Sequence, residues 1–137
     1  MNVIKILDFP KDATCIPYLE EDPECSQYLD KLIDETVGKV MIDVKNKCLV
    51  GYIFVYRKGE NKGFIFNLFV FPRYRGNHLG KMLTKYAIST LGGTDLTVGK
   101  DNDVAIAIYK DLGFKIVGDG NSDDEYYMKL DDDMVIM

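Results

Sequence analysis

An apolar run, Leu68-Phe69-Val70-Phe71, passes through Pro72-Arg73-Tyr74-Arg75-Gly76-Asn77-His78 into a segment that opens with Leu79-Gly80-Lys81 and has apolar residues at helical spacing. A strand, a basic glycine-punctuated turn and a helix, in that order, build an anion-binding site. The first turn of a helix presents backbone N–H groups without intrahelical partners, and the positive end of the helix dipole adds to their attraction for phosphate oxygens. Glycine allows a ligand to approach the backbone closely.

The charge distribution makes the same point without any motif. Between Asn61 and Thr94 there is no Asp or Glu, while Lys62, Arg73, Arg75, Lys81 and Lys85 contribute five positive charges. The whole chain carries 17 basic and 22 acidic residues, so everything outside this segment sums to minus ten. A positive island in an acidic protein points to one localised polyanionic ligand. Nucleic acid is usually met by a broad basic face and a high pI, whereas the pI here is about 4.8. A nucleotide-like cofactor fits better than a nucleic acid.

A chain of 137 residues that is 47% apolar and 28% charged, with no low-complexity tract, reads as one soluble folded domain. Met1-Asn2-Val3-Ile4-Lys5 has no signal-peptide core, and no apolar run approaches the roughly 20 residues of a membrane helix, so the expectation is a cytoplasmic protein with no membrane partner. Cys15, Cys25 and Cys48 share no metal-ligand or redox spacing. With a single histidine, a His-rich metal site is ruled out and no metal is expected. A Ser-His-Asp triad would have to use His78, which lies inside the basic turn.

The pattern along the chain predicts a strand from Val3 to Phe9, then a short helix containing Ile16, Tyr18 and Leu19 and capped by Asp12 or Thr14. After the acidic break Glu20-Glu21-Asp22-Pro23-Glu24, residues Tyr28, Leu29, Leu32 and Ile33 predict a second short helix, stopped at Gly38. Strands at Val40–Val44, Leu49–Tyr56 and Phe64–Phe71 follow as three antiparallel neighbours. The last is apolar on both faces apart from Asn67, which predicts a central strand covered on each side. Met82, Leu83, Tyr86, Ala87 and Leu91 mark a helix closed by Gly92-Gly93. Thr94–Val98 is a strand, and Asp101 or Asn102 caps a helix bearing Val104, Ala105, Ile108, Tyr109 and Leu112. Lys115–Val117 and Glu125–Leu130 form a closing pair, and Asp131-Asp132-Asp133 begins a solvated tail over 131–137. This is an α/β (α+β) chain, a mixed central sheet of about seven strands with helices on both faces.

Two motifs give the chain a resemblance to the GNAT superfamily of acyl-CoA-dependent N-acyltransferases, over nearly its whole length. One is the family's Arg/Gln-x-x-Gly-x-Gly/Ala turn, present as Arg75-Gly76-Asn77-His78-Leu79-Gly80 after Leu68-x-Val70-x-Pro72. The other is Asn-x-x-Ala-x-x-x-Tyr-x-x-x-Gly-Phe, matched by Asn102, Ala105, Tyr109, Gly113 and Phe114. Either alone is weak, and both at family-like separation are specific. The departure is His78, standing where the family's first glycine usually stands; it either adds a donor to a phosphate or points into solvent.

The resemblance implies a single acetyltransferase domain over residues 1–130, with acetyl-CoA or coenzyme A as co-substrate. It implies that backbone amides from Arg75 through Gly76, Asn77, His78, Leu79 and Gly80 to Lys81 hold the pyrophosphate. The pantetheine arm then bonds the backbone at Leu68, Phe69 and Val70, with Asn102 on one wall. Tyr109 is implied as the general acid that protonates the departing thiolate. Its phenol, of ordinary pKa about 10, is near-matched to a thiol of about 8.5. Val70 N–H is the candidate for polarising the thioester carbonyl.

The proton acceptor for the incoming amine is not legible. Some relatives place a carboxylate on the fourth strand, but Phe64 to Phe71 contains none. A water chain or a carboxylate from the early helices remains. Glu20, Glu21, Asp22 and Glu24 fall in the region that lines the acceptor pocket of similar proteins, where they either attract a cationic amine or form a solvated loop. Tyr18, Tyr28, Tyr56 and Phe66 either wall that pocket or belong to the core. The leading expectation is an N-acetyltransferase acting by direct transfer on a small-molecule or peptide amine, possible as a homodimer. The alternatives are a non-catalytic acyl-CoA-binding regulatory module and a nucleotide-binding protein of another fold, the last lacking any Gly-x-x-x-x-Gly-Lys-Ser/Thr sequence.

Overall fold

The computed structural model describes residues 3–131, so Asp132 and Asp133 of the expected tail lie outside the described residues. Contacts divide the chain into two compact units, with the boundary between Gly93 and Thr94.

The first unit is a four-stranded antiparallel sheet in the order β1-β2-β3-β4, formed by Ile4–Phe9, Thr36–Asp43, Cys48–Tyr56 and Ile65–Val70. Between β1 and β2 run a 3-10 turn at Ala13–Cys15 and three short helices, α1 Ile16–Glu20, α2 Pro23–Ser26 and α3 Leu29–Glu35. Asp12 caps the 3-10 turn by accepting from Thr14 N–H at 3.0 Å. Asp22 caps α2, accepting from Cys25 N–H at 3.0 Å with Pro23 in the first turn. The expected acidic break therefore contains a helix start.

Leu7, Phe9, Val40, Tyr52 and Phe54 meet Cys15, Leu19, Cys25 and Leu32 in one apolar cluster, with Phe9 and Phe54 edge to face at 5.1 Å. Helix α4, Leu79–Ser89, buries Leu79, Leu83, Thr84 and Ala87 and packs on β2, β3 and β4. Covered in this way, β3 is buried from Leu49 to Val55.

Two expectations change here. Gly38 does not stop a helix: it lies inside β2, which begins at Thr36, and a Cβ there would stand 2.5 Å from the Ile53 carbonyl oxygen. The strand buried on both faces is β3, whereas β4 stands at the end of its sheet and is mostly half-buried. β4 also carries an extra residue, since Tyr52 pairs with Phe69 but Phe54 with Phe66, and Asn67 takes a left-handed φ of 52°. Such a bulge bends the strand and re-aims its side chains.

The second unit is a three-stranded antiparallel sheet, order β5-β7-β6, from Asp95–Gly99, Glu125–Leu130 and Phe114–Asp119. Helix α5, Asp103–Asp111, packs on β6. Asn102, not Asp101, is its cap, accepting from Ala105 N–H at 3.2 Å. Val104, expected on the apolar face, is 73% exposed. The seven strands thus form an α/β fold as two antiparallel sheets of four and three, not one mixed sheet.

Candidate functional site

The turn between β4 and α4 is shaped by a sequence of local bonds. A 3-10 turn at Pro72–Tyr74 ends with Arg75 N–H donating to the Pro72 carbonyl at 3.3 Å. The Arg75 side chain folds back, Nε donating to the Val70 carbonyl at 2.7 Å and the guanidinium lying 5.2 Å from the Phe69 ring centre. Asn77 Nδ2 donates to the Tyr74 carbonyl at 3.0 Å. Gly76 has φ 87°, and no atom lies within 4 Å of where its Cβ would stand. His78 follows with φ 60° and ψ 19°, in the left-handed region, and its side chain makes no capping bond to α4. The nearest atom to a Cβ built on Gly80 is Val70 Cγ2 at 4.0 Å.

These facts make the start of α4 a fit for a diphosphate. The position that the family fills with glycine is left-handed, which glycine adopts freely and histidine tolerates better than most side chains. That accounts for the departure at His78. A cap residue whose side chain makes no bond to the helix and the open space before Gly80 leave room for phosphate oxygens beside backbone donors.

Cavities flank β4 on the side of the early helices. One of about 460 Å³ is lined by Asp22, Pro23, Glu24, Tyr52, Leu68 and Phe69 among others, and a second of about 240 Å³ shares Glu24 and Asn67 with it. Tyr28, Tyr56 and Phe66 wall the second, with Tyr56 and Phe66 stacked at 4.4 Å. Tyr18 is not with them; it lines a third cavity of about 310 Å³ with Cys48, Arg73 and Tyr74. Glu20 lines none of the three.

Two polar networks escaped the sequence. Asp22, 9% exposed, accepts from the Tyr52 phenol at 3.0 Å as well as from Cys25 N–H, and both bonds fall on Oδ2. Burial, then the adjacent Cys25 and Asp22, push the Tyr52 phenol far above its ordinary pKa. Burial likewise raises the Cys25 thiol to about 12. The second network centres on the buried Asp43, whose carboxylate accepts from Asn46 N–H at 3.0 Å and the Tyr74 phenol at 2.7 Å. Those donors hold its pKa down to about 2. Only the Asp22-Pro23 pair, a helix-start signature, hinted at either.

In the second unit, Tyr109 is 8% exposed and sits edge to face with Phe114 at 6.0 Å. Burial raises its phenol to about 12, and the hydroxyl has no hydrogen-bond partner among the described residues. Asn102 is committed to capping α5. Among the described residues no group of three or more His, Cys, Asp or Glu is placed to hold a metal ion, and no helix is long and apolar enough to cross a membrane.

Comparison with known proteins gives concordant matches. The sequence model of the Acetyltransferase (GNAT) family matches residues 5–114. Over 57 residues the chain is 39% identical to the peptidyl-lysine N-acetyltransferase YjaB of Salmonella typhimurium, a span of 42% of this chain and 39% of that protein. Over 75 residues it is 35% identical to the N-alpha-acetyltransferase RimI of Mycobacterium tuberculosis, covering 51% of this chain and 48% of the relative. The chain thus spans less than half the length of these curated relatives. Among solved structures, an IAA acetyltransferase from Bacillus cereus aligns with TM-score 0.67 at 17% identity, over 93% of this chain and 99% of that one. The PaiA N-acetyltransferase of Thermoplasma acidophilum, solved in complex with coenzyme A, aligns with TM-score 0.61 at 18% identity, over 93% and 98%. At such identities the likeness is one of fold.

Proposed function

This chain belongs to the GNAT acetyltransferase family, and from that premise we propose that it transfers an acetyl group from acetyl-CoA directly to a primary amine. The observation that carries the proposal is the β4–α4 turn, with its left-handed His78, whose side chain makes no capping bond, and the open space before Gly80. Bound there, acetyl-CoA supplies an activated thioester carbonyl.

The backbone amides from Arg75 to Lys81 are assigned to the pyrophosphate, those at Leu68, Phe69 and Val70 to the pantetheine arm, and Asn102 to its wall. Arg75 has a separate structural duty, since its side chain ties the turn to the Val70 carbonyl and its N–H donates to the Pro72 carbonyl. Val70 N–H polarises the carbonyl. Tyr109 donates the proton that the leaving sulfur requires, and a phenol at about 12 is fully protonated at neutral pH. The reading takes residues 1–130 as one acetyltransferase domain working in the cytoplasm, where its three free thiols stay reduced. The curated relatives act, by their names, on peptidyl lysine and on an α-amine. Both are primary amines, the acceptor class proposed here.

One observation favours a second reading, a non-catalytic acyl-CoA-binding module: β4 contains no carboxylate to take the amine's proton. Calorimetric titration with acetyl-CoA, coenzyme A and ATP, with and without Gly80→Glu, tests the cofactor site. Micromolar acetyl-CoA binding that the variant loses is expected. Thiol release on adding amines then separates the readings, because a module binds acetyl-CoA and releases nothing.

A further inference from the structure

The turn before α4 is tied to a carboxylate far from it in the chain. Asp43 ends β2 and is 0% exposed, and Tyr74, at the end of the 3-10 turn, is 5% exposed. The Tyr74 phenol donates to Asp43 Oδ2 at 2.7 Å, across a separation of 31 residues. With its proton committed there, the phenol oxygen accepts from the Cys48 thiol, 3.1 Å away. The other side-chain bonds of the turn are local, from Arg75 Nε to the Val70 carbonyl and from Asn77 Nδ2 to the carbonyl of Tyr74 itself. Tyr74 thus joins the two: its ring end is fixed to the sheet, and its carbonyl fixes Asn77.

The hairpin after Asp43 does not call for this charge. Asn46 gives its N–H to Oδ1 at 3.0 Å and its Nδ2 to Oδ2 at 2.8 Å. An Asn at position 43 would close the same turn by accepting from Asn46 N–H. A carboxylate differs from that Asn in aiming an acceptor, not an NH₂, at the Tyr74 phenol. Burying it is costly unless its oxygens are met, and Tyr74 supplies the donor from outside the hairpin.

The chain past Tyr74 needs such a hold. Gly76 at φ 87° and His78 at φ 60° put two left-handed residues within three positions. A non-glycine residue in that region persists only where its surroundings fix it. Amides that face a diphosphate bind it best when they are held in place beforehand, because a site that is competent for a fraction of the time has its Kd raised by the inverse of that fraction.

From this geometry we infer that Asp43, acting through the Tyr74 phenol, is a positioning residue for the diphosphate of the cofactor. It touches no ligand; it fixes the 3-10 turn from which the amides of Arg75 to Lys81 are presented. The inference rests on the cofactor site proposed above and adds a residue that lies outside both family motifs.

The test compares wild type with Tyr74→Phe, which keeps the ring and removes the bond, and with Asp43→Asn, which removes the charge. Val40→Ala is the control, taking buried volume from the same strand in the cluster under the early helices. Calorimetry gives Kd for coenzyme A, and backbone relaxation gives amide order parameters for residues 75–81 in the free protein. Tyr74→Phe and Asp43→Asn should each raise Kd about 5- to 50-fold, and the double variant no further, since all three lose one and the same bond. Order parameters at Gly76 and Asn77 should fall in both from about 0.85 toward 0.6. Val40→Ala should lower the urea midpoint and leave Kd and order parameters at wild-type values. A wild-type Kd in Tyr74→Phe overturns the inference and leaves the cofactor site standing. An equal rise in Val40→Ala also overturns it, because general loss of stability then explains the effect, and so does a raised Kd with unchanged order parameters, because the turn is then not what moved. If wild type binds no coenzyme A, the cofactor reading falls and the inference falls with it. Should Asp43→Asn fail to fold, Tyr74→Phe against Val40→Ala carries the comparison.

Discussion

His78 holds a backbone conformation that most residues resist, at the point where the chain turns into α4. If its role is only to permit that turn, His78→Gly should leave acetyl-CoA affinity unchanged, whereas His78→Val, β-branched at positive φ, should cost about 1–3 kcal/mol in urea unfolding. Loss of affinity in the glycine variant would instead mean that the imidazole touches a phosphate. Tyr109 makes a sharper case. Tyr109→Phe should lower kcat by about 10²- to 10⁴-fold with acetyl-CoA binding intact, since only the proton is removed. Burial raises the phenol to about 12, so the protonated acid persists through the range where an ordinary tyrosine ionises. Any fall in kcat from its ionisation should begin only above about pH 11, and a limb centred near pH 10 would contradict the assignment. Asp43 carries a linkage of opposite sign. Its carboxyl is held at about 2 against an ordinary 3.8, chiefly by Asn46 N–H and the Tyr74 phenol, so its stabilisation is complete above the ordinary value and lost as pH falls toward 2. Asp43→Asn should flatten that part of the acid unfolding curve, read as urea midpoints from about pH 5 to pH 2.

At the scale of elements, the pieces held by local rules were legible and those held by neighbours were not. Helix α4 could be read because its buried positions recur every three to four residues, and the turn before it because glycine and basic residues mark it. The β2 start could not. Gly38 after an apolar helical stretch looks like a helix stop, yet its lack of a side chain serves contact with β3. Gly38→Ala should therefore destabilise the protein by about 1–3 kcal/mol in urea unfolding, since a Cβ would meet the Ile53 carbonyl at 2.5 Å and the Phe54 ring at 2.8 Å. A helix-stop glycine would give a different result, strained by its own φ and not by crowding. The bulge in β4 was equally hidden, because Asn67 is a residue that accepts left-handed backbone without any mark in the apolar pattern. The candidate site divides in the same way. Its turn was visible as a motif, while the buried Asp22–Tyr52 pair joins residues 30 apart in sequence and exists only once α2 packs on β3.

For the molecule as a whole, net charge and local charge oppose each other. The chain carries minus five at pH 7, yet the segment from Asn61 to Thr94 carries plus five and contains the turn assigned to the pyrophosphate. A polyanion should therefore be attracted locally and repelled by the remainder, with the balance set by screening. At low ionic strength the Debye length is about 30 Å and the acidic remainder is felt at the site, whereas near 0.15 M it is about 8 Å and the nearby Arg and Lys dominate. Acetyl-CoA affinity should accordingly weaken much less between 0.01 and 0.15 M salt than it would for a uniformly basic protein, and should fall more clearly toward 1 M. Thermal unfolding reports the same binding, since a ligand at one hundred times its Kd adds about 2.7 kcal/mol to the stability of the state it binds. The rise in melting temperature with acetyl-CoA should thus persist at 0.15 M salt, shrink at 1 M, and vanish in Gly80→Glu at both. A rise that survives in Gly80→Glu would place the ligand elsewhere on the molecule and detach the basic segment from the function assigned to it.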